Sequence, residues 1–133
     1  MSKFKFSKLA IAAFFSLPTL CMFATPKAAV AQNYYGAIAY SQSSDAHGYS
    51  YDYYSQGEAE ARALQECYNY SGSYDCVVTI WFRNACGALA TTPNGAYGSA
   101  WGVNQAVAER NALETCSQYG QGCRVTRWVC TTR

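Results

Sequence analysis

Polar and apolar positions along the chain switch between two periods, and the switch happens twice. In "HGYSYDY", residues 47 to 53, aromatic and small residues alternate at every step, the period of a strand. Ala59, Ala63, Leu64 and Cys67 then recur at helical spacing and make one buried stripe. From residue 76, "CVVTIWF" returns to period two, with Cys76, Val78, Ile80 and Phe82 on one face and Val77, Thr79 and Trp81 on the other. The second half repeats the order: Tyr97, Ser99 and Trp101 alternate with small residues, Ala108, Ala112, Leu113 and Cys116 form a stripe, and "CRVTRWVC" closes the chain. Short apolar runs, Gly36 to Ser41 and Cys86 to Thr91, precede each pattern and read as strands. Ser55 with Glu58 three residues on forms a capping box that starts a helix running to about Tyr68. Asn104 is the matching N-cap of a helix to about Ser117. "TTPNGAYG" carries hairpin turn chemistry, whereas the first half uses the looser "SQSSDA".

These elements give one unit written twice. "GAIAYS" aligns with "GALATT", "AEARALQEC" with "AERNALETC", and "CVVTIW" with "CRVTRW", all in the same order. The expected fold is α+β: two tandem β-β-α-β units, about 34–83 and 84–133, with antiparallel sheets and two helices. Small residues at 48, 50, 98 and 100 should lie beneath the alanine-faced helices. His47, Tyr49, Tyr51 and Tyr53 should point the other way, together with Trp81 and Trp128, while the face of 76, 78, 80 and 82 should lie under the helix. The aromatic faces of the two units then either pack together as a second core layer or stay partly wet, with Tyr49, Tyr51 and Trp101 expected in the core.

Cysteine usage and charge narrow the setting. Residues 1–31 carry Lys3, Lys5 and Lys8, an apolar run and the small-x-small ending Ala29-Val30-Ala31. That is the pattern of a secretory signal peptide, leaving residues 32–133 as a single domain. Cys21 follows Leu20 and does not suit a lipid-anchor site. Without the leader no lysine remains, and six arginines face eight carboxylates, a net charge of −2. Nucleic acid is therefore an unsuitable partner, since only Arg124, Arg127 and Arg133 cluster. No run after residue 31 is long and apolar enough to span a membrane. Six cysteines in an exported chain read as three disulfides, and no Cys-x-x-Cys pair points to zinc. The repeat pairs a helix-end cysteine with a strand-start cysteine in each unit, Cys67 to Cys76 and Cys116 to Cys123, leaving Cys86 to Cys130.

The blocks "YYGAIAYS", "GYSYDY" before "EAEARAL", "WFRNACGALA" and the closing "WVC" resemble domain-of-unknown-function family 4189, small exported bacterial proteins, over about residues 34–131. The resemblance implies export, disulfides and an α+β fold. It implies no activity and no catalytic residues.

The residues themselves offer little chemistry. His47, with Asp45, Asp52 and Glu58, is the one constellation for acid-base work, as in a small extracellular hydrolase acting on cell wall or RNA. Against that, Asp45 reads as a turn residue, Glu58 as a cap, and His47 aligns with Tyr97. The tyrosines are more informative, because ten of the twelve belong to the first unit. Rigid amphipathic rings suit recognition of a protein or glycan. Tyr54, Tyr68, Tyr70 and Tyr74, near the helix ends and in "YNYSGSYD", are expected to be exposed, with Arg83 as a further candidate contact. The expectation is an exported, monomeric binding module without metal or cofactor, a secreted inhibitor or envelope-recognition protein, secreted or periplasmic after cleavage near Ala31.

Overall fold

The computed structural model describes residues 31–72 and 74–133; the expected leader, Cys21 included, lies almost entirely outside them. The element order is β1 (Tyr35–Tyr40), β2 (His47–Tyr53), α1 (Gln56–Ser71), β3 (Val77–Arg83), β4 (Cys86–Thr91), β5 (Tyr97–Gly102), α2 (Gln105–Ser117) and β6 (Arg124–Cys130). This is β-β-α-β twice. Each unit forms its own antiparallel three-stranded sheet, in the orders β2-β1-β3 and β5-β4-β6.

Local chemistry accounts for the helix ends. The Ser55 hydroxyl accepts from the Glu58 N–H at 3.2 Å, and the Asn104 side chain accepts from the Val107 N–H at 3.0 Å, so each helix starts where an orphan donor finds a cap. Gly72 closes α1 at φ 63°, in the left-handed region that favours glycine.

Packing produces four layers: helix, sheet, sheet, helix. Ala59, Ala63 and Cys67 of α1 pack on Ala37 and Ala39, and Ala108, Ala112 and Cys116 of α2 pack on Ala88 and Ala90. The helices lie close because the strands beneath them have no bulk. A Cβ on Gly48 would meet the Ala63 carbonyl at 2.2 Å, and one on Gly98 would meet the Cys116 nitrogen at 2.2 Å. Ser50 uses the same proximity, donating to the Ala59 carbonyl at 2.6 Å. Between the sheets lies a third core of Ile38, Tyr40, Phe82, Ala85, Leu89 and Val129. The Phe82 ring fills the space over Gly36 and Gly87, where a Cβ would come within 2.2 and 2.5 Å of it. Strand β1 meets β4, β2 meets β6, and β3 meets both β4 and β5. Exchanging the units maps β2 on β6 onto β5 on β3, so the repeats are related by a pseudo-two-fold.

The three disulfides are Cys67–Cys76, Cys116–Cys123 and Cys86–Cys130, as the repeat implies. The last joins directly opposed residues of β4 and β6.

Three facing assignments from the sequence need correction, two of them with one cause. Ile38 pairs with Ile80 but Ala39 pairs with Val78, so Thr79 is an extra residue, a β-bulge. Cys76 and Val78 therefore lie under α1, whereas Ile80 and Phe82 turn into the space between the sheets. Trp81 pairs with Ala37 and so shares the helix side, its ring 6.4 Å from that of Tyr35. The second unit has the same bulge at Thr126, and Trp128 pairs with Ala88 on the α2 side. A second irregularity, with Asp52 at φ 60°, turns Tyr53 back toward the α1 core. Tyr49 and Tyr97 do pack between the sheets, but Tyr51 and Trp101, expected in the core, are 46% and 54% exposed.

Candidate functional site

Two clefts open on opposite flanks of the sandwich, and the pseudo-two-fold relates them. On the β2–β6 flank, a cleft of about 320 Å³ is lined by Asp45, Ala46, His47, Tyr49, Glu66, Tyr70 and Arg127. On the β3–β5 flank, a cleft of about 660 Å³ is lined by Gln42, Thr79, Asn94, Ala96, Tyr97, Gly98, Ser99, Thr115 and Tyr119. His47, Tyr49, Glu66 and Tyr70 correspond in the repeat to Tyr97, Ser99, Thr115 and Tyr119. One site holds charge; its counterpart is neutral.

In the charged cleft the Arg127 Nε–H donates to His47 Nε2 at 3.1 Å, and the Arg127 guanidinium lies 4.6 Å from the Tyr49 ring centroid. This contact joins β6 to β2 across the inter-sheet space. With Nε2 accepting, the neutral ring carries its proton on Nδ1, which is buried and without a hydrogen-bond partner among the described residues. Burial lowers the His47 pKa below the ordinary imidazole value and the Arg127 charge lowers it further, while Asp45 works in the opposite direction. Asp45 itself accepts from the Tyr40 hydroxyl at 2.7 Å. Burial, the Asp45 contact and nearby Tyr97 raise the Tyr40 pKa well above that of a free phenol.

Of the acid-base constellation read from the sequence, only His47 and Asp45 share this cleft. Asp52 accepts from the backbone N–H of Thr132 at 2.8 Å and also from its hydroxyl. Glu58 sits in the first turn of α1, and Glu66, from the last turns of that helix, takes its place beside His47. Among the described residues no group of three histidine, cysteine or acidic side chains is placed to hold a metal ion.

The neutral cleft continues along the flank. An adjoining hollow shares Ser99 with it and reaches Ile80 and Trp101, and a further one of about 290 Å³ is bordered by Ile80, Trp81, Phe82, Arg83 and Trp101. The result is a groove along β5 and β3, about 20 Å for a six-residue strand. Arg83, singled out in the sequence, lies at its indole-lined end.

The tyrosines singled out in the sequence are exposed but do not form one patch. Tyr54 precedes α1, its ring 5.9 Å from that of Tyr34, and Tyr68 and Tyr70 lie in the last turns of that helix. Fourteen residues of helix separate Tyr54 from Tyr70 by about 20 Å. Tyr68 donates to the Cys76 carbonyl at 3.3 Å, Tyr70 borders the charged cleft, and Tyr74 is 98% exposed in the loop beyond. Sequence reasoning missed the neutral cleft and the role of Arg127. The signal was present in the aligned repeats, where His47 and Glu66 face Tyr97 and Thr115.

Comparison with known proteins agrees with the fold. Over 100 residues the chain is 38% identical to Protein Mb1300c of Mycobacterium bovis and to Proteins MT1307 and Rv1269c of Mycobacterium tuberculosis, covering 75% of this chain and 72% of each relative. The NMR structure of Rv1813c from Mycobacterium tuberculosis superposes with a TM-score of 0.53 at 28% identity, covering 74% of this chain and 75% of that one. The sequence profile of the domain of unknown function DUF4189 matches residues 35–130, and the chain belongs to that family.

Proposed function

We propose that the protein is an exported binding module whose ligand surface is the groove along β5 and β3. The observation that carries this reading is the position of Trp101: an indole 54% exposed on the inter-sheet side of an edge strand, facing Ile80 and Phe82 of the other unit and bordered by Arg83. Large aromatic side chains left half in solvent beside a concave surface are the usual anchors of recognition sites. The disulfides suit an oxidising, extracellular-type compartment, and among the described residues no helix is long and apolar enough to cross a membrane. Export itself is inferred from the leader pattern of residues 1–31.

Co-sedimentation with isolated bacterial envelope material tests the proposal. The protein should bind saturably, and Trp101→Ala should weaken binding about tenfold or more while leaving the fold intact. Equal binding by wild type and Trp101→Ala would remove the groove from the account.

A second reading, acid-base chemistry, is favoured by one observation: His47, Asp45 and Glu66 line a single cleft. The hydrogen bonding weighs against it. Arg127 occupies one imidazole nitrogen and the other is buried, so neither is presented to a substrate proton. A screen for hydrolysis of cell-wall and RNA substrates, comparing wild type with His47→Ala, decides the point. A loss of about 10² or more would establish the hydrolase.

A further inference from the structure

We infer that the wide cleft at the Tyr119 end of this groove is a subsite for an uncharged, hydroxyl-rich ligand, a neutral oligosaccharide. The inference rests on the groove being the ligand surface and names the class of its ligand.

Among the described residues, the lining of the cleft contains amides, hydroxyls and phenols and no charged side chain. Some of those groups are already committed. Ser99 donates to Thr79 at 2.7 Å, Thr79 donates to the Ile38 carbonyl at 3.2 Å, and Thr115 donates to the Asn111 carbonyl at 2.8 Å. What remains is complementary. Gln42 uses its amide nitrogen on the Gly95 carbonyl at 2.9 Å, which leaves its amide oxygen as an acceptor. Asn94 uses its amide oxygen to accept from Thr92 at 2.6 Å, which leaves its NH₂ as a donor. The hydroxyls of Tyr97 and Tyr119, both in the lining, have no hydrogen-bond partner among the described residues, and each can donate and accept. A sugar hydroxyl also does both, so alternating amide and phenol groups match a polyol edge without any net charge.

Aromatic surface completes the match. Tyr119 is 72% exposed at one end and Trp101 54% exposed at the other, and flat rings of this kind cover the C–H faces of pyranose units. An acidic ligand would find no countercharge in this cleft. Neutrality is not imposed by the fold, because the symmetry-related cleft carries His47, Glu66 and Arg127 in the same architecture.

Titration of the purified protein with cellotetraose, chitotetraose and, as an anionic contrast, polygalacturonate, followed by tryptophan fluorescence and calorimetry, tests the inference. At least one neutral saccharide should bind saturably and the polyanion should not. Asn94→Asp, which keeps the oxygen that accepts from Thr92 and removes the NH₂, and Tyr119→Ala, both at exposed positions, should each weaken saccharide binding about fivefold with little change in melting, the loss expected for one hydrogen bond or stacking contact. Absence of binding to both neutral saccharides, or full binding by both variants, overturns the inference. If envelope binding persists and still depends on Trp101 while neither saccharide binds, the groove recognises another class, such as an extended peptide, and the failure is of the ligand class alone. If envelope binding is also lost, both readings fail together.

Discussion

His47 and Arg127 show how one hydrogen bond can join two repeats. The Arg127 guanidinium reaches from β6 to an imidazole on β2, and stacks on Tyr49 as it does so. The bond requires a neutral ring, because a protonated Nε2 would face another donor. Since the folded pKa is depressed, the unfolded chain takes up the proton first as the pH falls. Stability is therefore full above about pH 6.5, the unfolded value, and declines below it until the folded ring also protonates. Urea denaturation between pH 7.5 and 5 should show this decline, with a slope of at most about 1.4 kcal/mol per pH unit, and His47→Gln should flatten it. A pH-independent wild type would mean that burial and Arg127 together do not depress the proton affinity of His47 in the folded chain. Other single residues behave according to their environment. Phe82→Ala should cost about 3 to 5 kcal/mol, because the ring is 2% exposed between two glycines, whereas Tyr51→Ala and Trp101→Ala, half in solvent, should each cost under about 1.5 kcal/mol. Thermal melts of the three variants distinguish these cases.

The helices were legible in the sequence because their signals are local. Ser55 and Asn104 cap them, and alanines at helical spacing mark the buried stripe. The glycines and serine beneath them were legible for the same reason, as small residues alternating with large ones. Gly98→Ala should destabilise by about 3 kcal/mol or more, measured by denaturation, since its new methyl meets helix backbone that cannot swing away. Strands β3 and β6 were read less well. Strict alternation predicts one face for Cys76, Val78, Ile80 and Phe82, but Thr79 and Thr126 each insert one residue into the ladder and exchange the faces beyond them. A bulge has no periodic signature of its own. Its trace is that Thr occurs at the same place in "VVTIW" and "RVTRW", visible only when the units are superposed.

At the scale of the whole molecule, duplication builds the scaffold and divergence makes the two clefts differ. The repeat gave the two β-β-α-β units, the disulfide pairing and the opposed aromatic faces, but which rings stay wet depends on how two sheets settle face to face, which no local pattern encodes. The Cys86–Cys130 bridge, spanning 44 residues, ties the start of the second unit to its last strand, and replacing both cysteines by alanine should cost about 4 kcal/mol by loop entropy, against about 2.5 for Cys67–Cys76. Denaturant titrations of the two double variants check the order. The pseudo-two-fold also supplies an internal control for function, because Trp101 on the β3–β5 flank corresponds to Tyr51 on the β2–β6 flank. Both are half-exposed rings at equivalent places in one fold, and only Trp101 borders the groove. The direct measurement is the affinity of wild type, Trp101→Ala and Tyr51→Ala for the same envelope preparation. The groove account expects Trp101→Ala to lose about tenfold or more and Tyr51→Ala to stay within about twofold of wild type. Equal losses at the two positions, or a loss at Tyr51 alone, would contradict it.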